Sequence, residues 1–277
     1  MSSGLDERFA TMLEIARGAG SIAHGYFARR GELAIEEKGV QDLVSVADRE
    51  AEAFIRERIA RRFPDDGFFG EEGGEKAARA MWVVDPIDGT TNFLRGLPHY
   101  GVSIAFVRDG ITEMGAVFAP ELGELYAARR GQGATLNGQP LRVTTTRRFA
   151  AALIGLGYSK KTPPDAYLET IRALFARDAL YRLLGSAALM ICQVAAGRVD
   201  AFFEAKLSAW DALAGLLIVR EAGGRTVPSA EDEHGWRTGP VLASNVALAP
   251  ELCALLAKTQ PGFAWPGAAS TASGGTK

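Results

Sequence analysis

The chain has 277 residues, and 31 Lys plus Arg against 33 Asp plus Glu leave a net charge of −2, so there is no electrostatic case for a nucleic-acid partner. Apolar residues at 47% and charged residues at 23% suit a globular protein of one large α/β domain or two smaller ones, and no apolar run reaches the length of a membrane-spanning helix. Two cysteines, Cys192 and Cys253, and an N-terminus (MSSGLDERFA) without a basic-then-apolar pattern read as a cytoplasmic chain with reduced thiols.

In chain order, Leu5, Phe9, Met12, Leu13, Ala16, Ile22 and Phe27 recur at helical spacing and predict a long helix over 5–29. GELAIEEKGVQDLVSVADRE begins with strand-like alternation, passes through a Gly-bearing loop and enters a second amphipathic helix over 47–63, stopped by Pro64, Asp65, Asp66 and Gly67. Short strands are predicted at 67–70, 81–85, 101–108, 111–119 and 124–128, with a hairpin at VRDGIT and a turn at LNGQP. Beyond about residue 145 strands and helices alternate: AALIGLGY as a strand, 165–177 as a helix, GSAALMICQVAAG as a small-residue helix ended by Gly197, and VDAFFEA as a strand. A helix over 209–222 ended by Gly223 and Gly224, the strand VLASN and a terminal helix follow. The division expected is an α+β part over 1–145, an α/β part over 146–260 and a disordered Gly-rich tail over 261–277.

Four acidic clusters stand near predicted element ends: Glu71 and Glu72 in GEEGG, Asp85 and Asp88 in WVVDPIDGTTNF, Asp211 in SAWDALAG, and Asp48 with Asp42 upstream. Gathered carboxylates repel one another unless a cation neutralises them, and an all-oxygen set suits Mg²⁺. GTTNF after Asp88 reads as a helix start, whose unpaired N–H groups favour a phosphate, with Gly89 permitting close approach. D-x-x-D-G-T alone fits a plain turn or helix cap; its pairing with GEE upstream and WD downstream points instead to metal-assisted phosphoryl chemistry.

With GEE, WVVDPIDGTTNF and WDALAGLLIVREAGG in order, the chain resembles the inositol monophosphatase family of Mg²⁺-dependent, lithium-sensitive phosphatases, from about Leu5 to Leu256. The resemblance implies a layered α-β-α-β-α sandwich of the sugar-phosphatase type, combining α+β and α/β parts, in a homodimer. It implies a first Mg²⁺ on Glu71, Asp85 and the Ile87 carbonyl, a second on Asp85, Asp88 and Asp211, and a third, weaker one near Glu71. Thr90, hydrogen-bonded to Asp48, would help Glu71 deprotonate the attacking water in an in-line displacement without a covalent intermediate. The N–H groups of Gly89 and Thr90 would bind phosphate, Lys38 would lie in a mobile loop, Gly185, Ser186 and Ala187 would line the sugar side, and Glu204 would contact substrate hydroxyls. Glu72 reads as a hydrogen-bonding neighbour of the ligands, and Asp42 stays open between the third ion and the surface.

The substrate implied is a small phosphorylated polyol or amino alcohol: inositol 1-phosphate first, then histidinol phosphate, fructose 1,6-bisphosphate or a 3′-phosphoadenosine phosphate. A role as a partner of the transcription machinery is the alternative outside enzymology. Other motifs fall short. The D-x-D-G-T of aspartate-nucleophile phosphatases has one residue between its aspartates, whereas Pro86 and Ile87 stand between these. GLGYSK lacks a third glycine for a dinucleotide loop and reads as a turn near the pocket. His24, His99 and His234 lack H-x-x-x-H spacing; His24 reads as surface and His99 as structural. Trp210 reads as packing that fixes Asp211.

Overall fold

The computed structural model describes residues 3–30, 35–39, 42–159, 162–228 and 235–263, with backbone alone for 3, 35–39 and 42–45. In chain order the elements are α1 Ser3–Ala28, β1 Ile35–Gly39, β2 Asp42–Ser45, α2 Val46–Arg62, β3 Gly67–Gly70, β4 Gly74–Lys76, β5 Ala80–Asp88 and α3 Thr90–Arg95. They continue with β6 Gly101–Arg108, β7 Ile111–Ala119, β8 Glu124–Arg129, β9 Ala134–Leu136, β10 Gln139–Pro140, β11 Leu153–Leu156, α4 Pro164–Phe175 and β12 Leu180–Arg182. The remainder are α5 Ala187–Ala195, β13 Ala201–Ser208, α6 Ala209–Glu221, β14 Arg225–Val227, β15 Thr238–Ser244 and α7 Ala249–Thr259.

Among the described residues the strands form a large sheet, β10-β9-β8-β7-β6-β5-β3-β4, a smaller one, β12-β11-β13-β15-β14, and the β1–β2 ribbon. Strand alternation assigns every helix but α3 to a layer. Trp82 and Val84 of β5, with Ile104 and Phe106 of β6, pack on Met12, Ile15, Ala51 and Ile55 of α1 and α2. Val83 and Ala105 face the other way, onto α5 and α6. Those two helices also take Phe202 of β13 and Val241 and Ala243 of β15, so the middle layer joins the two sheets. Phe203 and Leu242 point outward to Leu174 of α4 and Leu252 and Leu255 of α7. The result is the α-β-α-β-α sandwich expected.

Close approach in the middle layer depends on Gly115 of β7, where an added Cβ would lie 2.7 Å from the Ala214 carbonyl oxygen and 2.8 Å from its Cα on α6. The VRDGIT hairpin forms with Asp109 at φ 54 and Gly110 at φ 78, the left-handed pair a tight β6–β7 turn demands. Two expectations shift. The strand foreseen at 81–85 runs on to Asp88. Lys38, expected in a loop, falls on β1, and its side chain, like that of Asp42, lies outside the described residues, as do His234 and the tail from 264.

Candidate active site

Asp85 and Asp88 are three residues apart, which in a regular strand would place them on opposite faces. β5 avoids this by slipping register against β6: Asp85 pairs with Ser103 and Asp88 with Gly101, so three steps on one strand match two on the other. Pro86, with no N–H to donate, sits in the slip, and the Ile87 N–H turns back to Asp85 Oδ1 at 2.9 Å. Ile87 is thereby sent to the α1–α2 side, beside Ala23, Phe27 and Phe93, and both carboxylates face α5 and α6.

Asp88 is held by the start of α5. The Ser186 hydroxyl and the Ala188 N–H (2.8 Å) donate to Oδ2, and the Ala187 N–H donates to Oδ1 at 3.3 Å. Asp211, in the first turn of α6, accepts the Ser208 N–H at 2.9 Å. Oxygens of Asp85, Asp88 and Asp211 all lie within 4.8 Å of one another. Glu71 follows β3, its N–H on the Val84 carbonyl at 3.2 Å, and its carboxyl meets that of Asp85.

The electrostatics fit a cation site. Asp85, 2% exposed, is pushed well above the usual carboxylate range by burial first, then by Glu71, Asp88 and Asp211. Asp88 is raised to about 6 by burial, against the opposing hydrogen bonds from Ser186 and the α5 backbone. Four acids that cannot all ionise without a counter-charge, all offering oxygen, match the hard divalent ions of phosphoryl chemistry.

A cavity of about 180 Å³ opens beside them, lined by Asp88, Asp211 and Glu204 with Tyr158, Met190 and Phe202 among its walls. Glu204 shares the face of β13 with Phe202 and is 8% exposed; burial, then Asp211 and Asp88, raise its pKa well above the usual value. Gly185, Ser186 and Ala187 line this cavity, as do Gly157 and Tyr158 of the GLGYSK turn. Ser186, however, is buried and spends its hydroxyl on Asp88. GTTNF forms α3, with Gly89 at φ 93.

Thr90 differs from expectation. Its hydroxyl donates to the Ile87 carbonyl at 3.1 Å, within its own turn, and among the described residues it makes no bond to Asp48, which is buried on α2. His24 is exposed, its Nδ1 2.7 Å from Glu121 Oε1, and His99 contributes its carbonyl to Asn92 rather than its ring to the site. Trp210 stacks edge-on against Phe69 at 5.1 Å between ring centres and precedes Asp211, the packing role foreseen for it.

Three positioning residues escape sequence reasoning. Ser103, opposite Asp85, donates to the Trp210 carbonyl at 2.8 Å and so ties β6 to the start of α6. Asn92 clamps the carbonyls of His99 at 2.7 Å and Leu184 at 2.6 Å, joining α3 to the approach to α5. Glu52, paired with Arg56 at 3.0 Å, accepts the Glu72 N–H at 2.9 Å and shapes the turn carrying Glu71. Only Glu52 leaves a signal, an acid on the apolar face of a helix with Arg four residues on.

The profile described as "Inositol monophosphatase family" matches residues 5–261. An inositol-1-monophosphatase of Rhizobium meliloti is 39% identical over 255 residues, covering 90% of this chain and 96% of that protein. The Nus factor SuhB of Escherichia coli is 40% identical over 235 residues, covering 83% of this chain and 88% of that one. Among solved structures, an IMPase from Thermotoga maritima superposes with a TM-score of 0.83 at 32% identity, covering 91% of this chain and 98% of its own. The chain belongs to the inositol monophosphatase family, metal-dependent phosphatases acting on small phosphorylated substrates such as inositol phosphate.

Proposed function

We propose that the protein is a Mg²⁺-dependent phosphomonoesterase of small polyol phosphates, with inositol 1-phosphate as its substrate. The observation that carries the reading is the meeting of Asp85, Asp88 and Asp211 oxygens within 4.8 Å, although Asp211 lies more than a hundred residues along the chain from the other two. In this reading Glu71, Asp85 and the Ile87 carbonyl hold one Mg²⁺, Asp85, Asp88 and Asp211 a second, and a third lies near Glu71. Sharing Ile87 O with the Thr90 hydroxyl is no obstacle, since a carbonyl has two lone pairs. When bound, these ions supply Lewis acidity toward water and the phosphoryl oxygens.

The chain's own groups do the rest. Glu71 takes the proton of the attacking water, with Thr90 and Asp48 behind it. The N–H groups of Gly89 and Thr90, at a helix start where no intrahelical acceptor exists, hold phosphate oxygens. Glu204 reads the alcohol part, and Lys38 belongs to the same site. The α5 start fixes Asp88, so a carboxylate that would hold a cation is oriented before the ion binds. A cytoplasmic homodimer completes the reading; among the described residues no helix is long and apolar enough to cross a membrane.

The test is phosphate release in Mg²⁺ from inositol 1-phosphate, histidinol phosphate, fructose 1,6-bisphosphate and 3′-phosphoadenosine 5′-phosphate. Inositol 1-phosphate is expected to give the highest kcat/KM, and no release from any of the four sinks the reading. A second reading, binding to transcription machinery, is favoured by relatives named Nus factor SuhB. Capture of an RNA polymerase component by an Asp85→Asn variant supports it, and failure of that capture removes it.

A further inference from the structure

The inner face of β11 is bare where the strand reaches the cavity. β11 and β13 run parallel, with Leu156 against Phe203, and the Gly157 N–H donates to the Phe203 carbonyl at 2.9 Å, so Gly157 lies beside Glu204. Gly155 and Gly157, two residues apart, share one face of the chain, and neighbouring side chains take the room they leave. A Cβ at 155 would meet the end of Met190 and lie 3.1 Å from Phe202 Cδ2. A Cβ at 157 would overlap Oε2 of Glu204 and lie 2.5 Å from its Cδ and 3.0 Å from its Cβ. Neither glycine lies in the left-handed region, so the backbone there would accept an L side chain; what glycine provides is space. Glu204 depends on that space. It is buried, and among the described residues no hydrogen bond holds its carboxylate, so packing over the Gly157 Cα sets its place in the cavity.

Resting on the phosphatase reading, with Glu204 as the group that reads the alcohol part, we propose that Gly157 is a positioning residue that sets substrate specificity: by lacking a Cβ it lets the Glu204 carboxylate draw back over β11, from where it accepts a hydrogen bond from the alcohol part of the substrate. A methyl group at 157 takes that place. The carboxylate then has to swing off the strand, and the open space beside it is the cavity that both residues line. Glu204 keeps its charge but loses the position from which it meets a hydroxyl. The ester recognised through Gly157 is therefore one whose alcohol part carries a hydrogen-bond donor, and an ester without that donor loses little when the glycine is replaced.

The experiment compares wild type, Gly157→Ala, Glu204→Ala and the double variant on the best ester of the substrate panel and on p-nitrophenyl phosphate, whose leaving group carries no hydroxyl. The added methyl meets the end of a flexible side chain, so Gly157→Ala is expected to fold, with a melting temperature lowered by no more than about 4 °C. Should it fall further, the double variant decides. Melting where Glu204→Ala melts assigns the loss to the displaced carboxylate, and melting as low as Gly157→Ala overturns the proposal. In Gly157→Ala the KM of the panel ester is expected to rise about tenfold, as for one hydrogen bond to a charged group, with kcat within about threefold. The loss on p-nitrophenyl phosphate is expected to be at least about fivefold smaller, and the double variant to bind no worse than Glu204→Ala alone. An unchanged KM for the panel ester in either single variant, equal losses on both esters, or losses that multiply in the double variant overturn the proposal while the phosphatase reading stands. If the wild type turns over neither ester, both fall together.

Discussion

Asp85 is where burial and function oppose one another most directly. Its carboxyl is raised by burial and by Glu71, Asp88 and Asp211, so without a cation its ionisation strains the fold. Asp85→Asn therefore abolishes turnover, to below about a thousandth of wild type, while the metal-free protein melts at the same or a higher temperature, because one repelling charge has gone. Glu71→Gln abolishes turnover likewise; full activity in either variant rejects its assignment. Ser186→Ala acts more gently. It removes a buried donor to Asp88 and the cap of α5, where the Ser186 oxygen accepts the Leu189 N–H. A loss of about 1–2 kcal/mol of stability in denaturant melts is expected, with a raised Mg²⁺ requirement. The acids themselves were legible in the sequence because each sits in a short run of turn and cap residues. Ser103 and Asn92 were not, since a lone Ser or Asn says nothing until the fold brings Trp210 or Leu184, about a hundred residues away, within reach. The Thr90 hydroxyl meets the Ile87 carbonyl where the resemblance implied Asp48, because a hydroxyl in the first turn of a helix finds its own backbone before a distant carboxylate.

At the scale of elements, the helix that carries Asp211 rests on a glycine. A side chain at Gly115 meets the Ala214 backbone, which cannot rotate away as a side chain can. Gly115→Val therefore pushes α6 off β7, with an expected cost of about 1–3 kcal/mol by denaturant melts. Because Asp211 moves with α6, the Mg²⁺ concentration for half-maximal activity rises as well. A variant of wild-type stability and unchanged Mg²⁺ dependence would show that α6 does not need this contact. Periodicity made the long elements readable: α1, α2, α6 and the strands β6 and β7 each bury a face long enough to leave a pattern. It failed for β4, β9, β12 and β14, each of three residues, and for β10. Such pieces exist because a neighbouring strand completes their hydrogen bonds, which is a property of the sheet. The β5 slip was hidden for the same reason: Pro86 suggested the end of the strand, whereas the sheet continues through it with one extra residue.

Across the whole molecule, the acids of the site come from separate layers. Asp85 and Asp88 lie on the large sheet, Asp211 on a middle-layer helix and Glu204 on the small sheet. A cation held by this set binds the folded arrangement and not the unfolded chain, so at a hundredfold excess over its Kd it stabilises by about 2.7 kcal/mol. The pH dependence of the metal-free protein follows in sign. Asp88 is raised from 3.8 to about 6 in the folded state, so its contribution to stability is fully present below about pH 4 and lost as pH rises through about 6. Asp85 and Glu204 shift in the same direction. Glu124, lowered chiefly by its hydrogen bond from Arg198, and Glu75, lowered by Arg237, act only at lower pH; in this range His99, lowered by burial, works the other way, one group against three. In EDTA the protein is therefore expected to melt higher at pH 5.5 than at pH 7.5, and Mg²⁺ to raise the melting temperature at pH 7.5 and to erase most of the difference. In Asp85→Asn both the pH difference and the Mg²⁺ shift shrink, which separates the site from any general effect of charge. A melting temperature at pH 7.5 that is indifferent to Mg²⁺ would mean that the ion does not displace the protons of the folded carboxylates, and the cation reading of the cluster would fall.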